Sequence, residues 1–324
     1  MTALYAATGD DVIRLVERDG GWDVESALRG RGAQCLASAV DGALYAGCRG
    51  SGVWKSRDGG QTWVDAELPQ PDVFSVAVSA ADGKVYAGCE PSMLFVSDDA
   101  GESWEELSSL REIPSAPTWS FPPRPWTSHV RWIAPSPHDA DLLLVGIELG
   151  GLMRSEDGGR TWADHRPGAQ RDVHSLVWHP RVLGRAYEAG GGGAAWSHDG
   201  GDTWTPADTG RDRHYTWAVA VDGEDPNCWF VSASPGPFNA HRAGQAQALV
   251  YRWRGEGPWQ PVDGGLPQPL DAMPYAFAFV DGRLFAALSD GRLYESRDLG
   301  DSWAEAALEG ERPPRFVALV CALS

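Results

Sequence analysis

The sequence predicts an all-β fold: one seven-bladed β-propeller spanning residues 1–324, with four antiparallel strands per blade. Three observations predict it. An octapeptide recurs along the chain as SRDGGQTW (56–63), SDDAGESW (97–104), SEDGGRTW (155–162), SHDGGDTW (197–204) and SRDLGDSW (296–303). Two degraded copies, ending at Trp22 and Trp259, fill the gaps, and the seven tryptophans are spaced by 41, 41, 58, 42, 55 and 44 residues. Each period of about 41 residues holds four short strand-like runs, the signature of a radial repeat.

The octapeptide is a folding device. Its Asp accepts backbone N–H bonds within its own turn. Its Gly supplies positive φ at no steric cost, and its Trp buries a large surface. The five aspartates are therefore structural rather than catalytic. The second period shows the strands well, as 33–40, 43–48, 52–57 and 62–68. With these runs lettered A to D, the octapeptide is the C–D turn. The chain starts on a B run at 2–8 and ends on an A run at 316–323. The last strand is thus expected to complete the first blade and remove the open sheet edges.

Charge and cysteines bound the function classes. Asp and Glu number 45 against 27 Lys and Arg, a formal charge of −18. Such a surface repels phosphate backbones and anionic lipid, so neither nucleic acid nor membrane is an expected partner. Cys35, Cys48, Cys89, Cys228 and Cys321 match neither a disulfide framework nor a zinc motif. Free thiols suit a reducing compartment. The N-terminal MTALYAATGDDVIRL has no basic segment before an apolar one, so a cytoplasmic protein is expected.

The SxDxGxTW copies resemble the Asp-box (bacterial neuraminidase repeat) propeller superfamily over the whole chain. The resemblance implies the propeller. Its members include sialidases, xyloglucan-cleaving glycosidases, sortilin-type receptors and a photosystem II assembly factor, so it implies no single activity. The Phe-Arg-Ile-Pro motif of sialidases has no counterpart; FPPRPW (121–126) is the nearest string. Arg131, Arg242 and Arg315 are joined by no motif, and no sialidase catalytic residue is carried over.

Two insertions mark one face of the disc. The D–A connection 108–128 and the B–C connection 235–247 both fall on the face opposite the octapeptide turns, and loops this long are usually functional. Under them the A strands open on polar residues: His129 and Arg131, Asp172 and His174, His214 and Tyr215, then Tyr275. Glu148 and Glu188 follow at or near the ends of B strands. A ligand pocket at the channel mouth over blades 4 to 6 is the expected site, for a small-molecule, sugar or peptide ligand. His129, Arg131, Asp172, His214, Tyr215, Asn239, His241, Arg242, Tyr275, Trp119 and Trp126 are its candidate binding residues. Three further expectations attach to it. His174 with Glu148 or Glu188 could act as an acid–base pair. Glu148 with Glu188 or Asp172 could cleave a glycoside. His129, His174 and His214, taken as equivalent positions on successive blades, could hold zinc or iron. A scaffold for protein partners is the alternative class.

Overall fold

The computed structural model describes residues 3–121 and 127–322. Seven sheets form a closed ring, and the expected strand boundaries hold to within a few residues. Blade 2, for example, comprises Ala33–Ser38, Leu44–Cys48, Gly52–Ser56 and Val64–Asp65. Blade 4 has three strands, with an Arg154–Ala163 bridge where the fourth would lie. Blade 1 is closed by Ala318–Cys321 pairing antiparallel to Ala3–Ala7. A further two residues, Leu308–Glu309, run parallel to its outer strand Gly21–Ala27.

The second strand of a blade is covered on both faces, so it is apolar throughout rather than alternating. Leu44–Cys48, Val85–Cys89 and Leu143–Ile147 are buried at every position, including the Cys48 and Cys89 thiols. Seven apolar clusters follow, one at each blade-to-blade seam. Close approach is set by glycine. A Cβ on Gly47, Gly88 or Gly146 would lie 2.6, 2.4 or 2.4 Å from a Cγ1 of Val73, Val130 or Val173 on the next blade. Any side chain there would push the seam apart.

The octapeptide turns close as expected. The Ser56 hydroxyl donates to Asp58 at 2.8 Å and accepts from the Gly60 amide at 2.9 Å. Asp58 also accepts from the amide and hydroxyl of Thr62, at 2.9 and 2.5 Å. The Thr62 hydroxyl, the Thr62 amide and then Ser56 hold its carboxyl down at about 2. The turns also tie neighbours together, since the Tyr5 hydroxyl of blade 1 donates to the Gly59 carbonyl of blade 2 at 2.9 Å.

Candidate functional site: the channel mouth over blades 3 to 7

The inner strand of each of blades 2 to 7 carries a register shift near its start, between Ala33 and Cys35, Val73 and Ser75, Val130 and Trp132, Val173 and Ser175, Thr216 and Val219, and Pro274 and Ala276. A bulged residue is released from the ladder and re-aimed. The residues skipped include Gln34, Phe74, Arg131, His174, Trp217 and Tyr275 (blade 6 skips Ala218 as well). All of these named residues except His174 line a central cavity of about 220 Å³. Below them the cavity wall is mostly apolar, with Leu36, Val76, Ile133, Val219 and Phe277. The polar groups are confined to the rim.

This register corrects the expected histidine triad. Aligned on the bulges, His129 matches Asp172 and Tyr215, whereas His174 matches Arg131 and Trp217. His129, His174 and His214 are therefore not equivalent. His214 is exposed, and Tyr215 takes the inward place beside it.

Two polar groups meet at the rim. In the first, His129 is 1% exposed and stacks on Phe74 at 4.0 Å between centroids. Its Nε2 meets Glu148 Oε2 at 2.5 Å, and Arg131 Nε lies 3.6 Å from the same oxygen. Burial alone would raise the Glu148 carboxyl. The His129 hydrogen bond, and then the Arg131 charge, outweigh it and hold the carboxyl at about 2. On the far side of His129, Nδ1 lies 3.7 Å from Glu90 Oε2, and neither atom has a hydrogen-bond partner. Thr127 donates to the other Glu90 oxygen at 2.9 Å.

In the second, His174 Nδ1 lies 2.6 Å from the Thr216 carbonyl. A carbonyl only accepts, so Nδ1 donates there and Nε2 is the ring nitrogen left facing the rim. That Nε2 faces Asp172 Oδ2 at 3.4 Å. The ring is wedged between Tyr215 and Trp217, at 4.9 and 4.4 Å. Arg131 covers the Trp217 face at 4.8 Å and so joins the two groups. Asp172 fits because residue 191 is glycine, where a Cβ would lie 2.0 Å from Asp172 Oδ2.

The inserted loops arrive at this same mouth. The turn Pro237–Ala240 delivers His241, whose ring nitrogens each meet a tyrosine hydroxyl at 2.8 Å, Tyr215 at Nε2 and Tyr275 at Nδ1. One edge of the His241 ring is open to solvent. Enclosure by its neighbours, then the nearby His174, pulls its pKa down to about 4. The ring is thus neutral, one nitrogen donating and the other accepting. From the other loop Phe121 sets its edge against His129 at 5.2 Å.

Other expected residues lie elsewhere. Trp119 is buried in the seam of blades 3 and 4, its indole donating to Ser115, and is a packing residue. Trp126 lies outside the described residues. Asn239 bonds the Gln245 carbonyl and Arg242 covers Phe238, so both brace their own loop. Glu188 is fully buried. It accepts one hydrogen bond, from the Gln170 amide at 2.9 Å, and its Oε1 has no partner. Burial pushes its carboxyl up to about 8. It occupies the strand position of Ala46 and Ala87, and among the described residues its one hydrogen bond is with Gln170, not with His174 or Glu148. Sequence reasoning missed Trp217 and Phe74 as rim residues. The signal was available in the alignment of Val130, Val173 and Thr216, which puts Trp217 level with Arg131 and His174.

No protein-family model matches the chain, and no curated protein matches it. Among solved structures it is similar to the GH74 xyloglucanase from Xanthomonas campestris, at 19% identity and a TM-score of 0.68, covering 98% of this chain and 52% of that one. It is also similar to an ancestral GH74 enzyme, at 19% identity and 0.64, covering 84% and 38%. A third likeness is YCF48 from Cyanidioschyzon merolae, at 16% identity and 0.58, covering 84% of both chains. The chain spans about half or less of the length of these two GH74 enzymes. At such identities the shared property is the propeller fold.

Proposed function

We propose that the mouth over blades 3 to 7 binds a small polar ligand rich in hydrogen-bond donors, of the sugar or polyol class. One observation carries the reading. The buried rim atoms that make no hydrogen bond include Glu90 Oε2 and Asp172 Oδ1. Both are carboxylate oxygens, so the rim offers acceptors and calls for donors. Trp217 and Tyr275, with centroids 5.2 Å apart, supply aromatic surface beside them, and the similar GH74 enzyme from Xanthomonas campestris is named a xyloglucanase. The test is saturation-transfer NMR against panels of mono- and oligosaccharides and of short peptides. Sugar binding weakened at least tenfold by Tyr275→Phe or Asp172→Asn is expected. Binding of peptides alone would replace this reading with a partner-binding one.

Cleavage of a glycosidic bond is a second reading. Glu148 and Asp172 bring one carboxylate oxygen each to within 4.8 Å of each other, too close for the separation of about 6.5–9.5 Å in inverting glycosidases, so only the retaining arrangement is compatible. Release of reducing sugar by the protein, abolished in Glu148→Gln, would establish it; sugar binding without turnover would dismiss it.

A further inference from the structure

We propose that Glu148, Asp172 and His174 hold a divalent transition-metal ion of the zinc class at the seam of blades 4 and 5. One ligand atom from each lies within 4.8 Å of the others, and this is the candidate group among the described residues. The His174 Nε2 to Asp172 Oδ2 distance is 3.4 Å. Bonds of about 2.0–2.1 Å to a tetrahedral ion require ligands about 3.3–3.4 Å apart, so this edge needs no rearrangement.

The hydrogen bonding points the same way. Nδ1 is engaged by the Thr216 carbonyl, so Nε2 is the ring atom aimed at the Asp172 carboxylate. A backbone carbonyl on the opposite nitrogen is the usual way a liganding imidazole is oriented. The His174 side chain is fully buried, its Nε2 has no partner, and neither has Asp172 Oδ1. Glu148 is braced in turn, since His129 and Arg131 both contact its Oε2, leaving Oε1 for the ion. The imidazole favours a transition metal over calcium or magnesium. Asp172 keeps 24% of its side chain exposed, and a fourth position on that side would open to the mouth. The identity of what fills that position rests on the ligand reading above; the ion does not.

The experiment takes chelator-stripped full-length protein and titrates zinc chloride alone by calorimetry. Cobalt chloride is added in parallel and its visible absorption read. One equivalent is expected per chain, with a tetrahedral cobalt spectrum. Asp172→Asn and His174→Gln, each checked for folding by circular dichroism, should weaken binding at least tenfold. His129→Ala should weaken it about tenfold through Glu148. No uptake, or stoichiometric uptake unchanged in Asp172→Asn, overturns the proposal. If His174→Gln fails to fold, Asp172→Asn decides alone. Sugar binding without zinc uptake would sink the ion and keep the mouth reading; zinc uptake without sugar binding would do the reverse.

Discussion

Asp58 and Asp172 each lie beside a loop, and the protein treats them in opposite ways. Asp58, on the octapeptide rim, closes a local circuit with Ser56, Gln61 and Thr62, and four more copies at 99, 157, 199 and 298 do the same. Asp172, on the mouth rim, leaves Oδ1 without a partner beside an unpartnered His174 nitrogen. One rim is repeated and satisfied, the other varied and unsatisfied. Repetition with complete hydrogen bonding is what a scaffold needs. Unpaired buried acceptors cost stability and persist where a ligand completes them.

Glu188 gives the largest test of that contrast. Its folded pKa, about 8, lies above the ordinary carboxyl value of 4.5. The unfolded chain therefore loses this proton first, and stability falls as pH rises between those values. Glu188→Gln should leave stability near pH 4.5 almost unchanged and raise it by up to about 5 kcal/mol above pH 8. Denaturant unfolding across pH measures this, and a parallel, unshifted pair of curves would refute it. Trp204→Ala, in the seam of blades 4 and 5, should cost about 4 kcal/mol and leave mouth binding intact in the folded fraction. Ser197→Ala breaks one octapeptide circuit, removing the bonds to Asp199 and to the Gly201 amide. Thermal unfolding should show a loss of about 2 kcal/mol, again without effect at the mouth. Tyr275→Phe should do the opposite: under about 1 kcal/mol in stability, yet a clear change in ligand affinity, as it frees His241 Nδ1. Equal effects of these last two on binding would erase the distinction between the rims.

The fold was legible because the octapeptide marks one fixed phase of every blade, so strand count, closure and loop faces follow by counting. The fourth strands came out much shorter than expected, two residues in blade 2 and a single bridge in blade 4. The site was legible in part. Polar substitution under long loops located the mouth, but spacing from the tryptophans does not reveal bulges, and slips of two residues and of one made His174 and His214 look equivalent to His129. Glu188 was harder to place for a different reason. A carboxyl in an apolar slot reads as functional, and the backbone amide of Gln170 that accommodates it is invisible in sequence.

The bulges separate two kinds of inheritance. A skipped residue owes nothing to the ladder, so Gln, Phe, Arg, His, Trp and Tyr stand at matching places in blades 2 to 7 with the sheets undisturbed. Chemistry at the rim can consequently drift, or be redesigned, one spoke at a time while the wheel keeps its geometry.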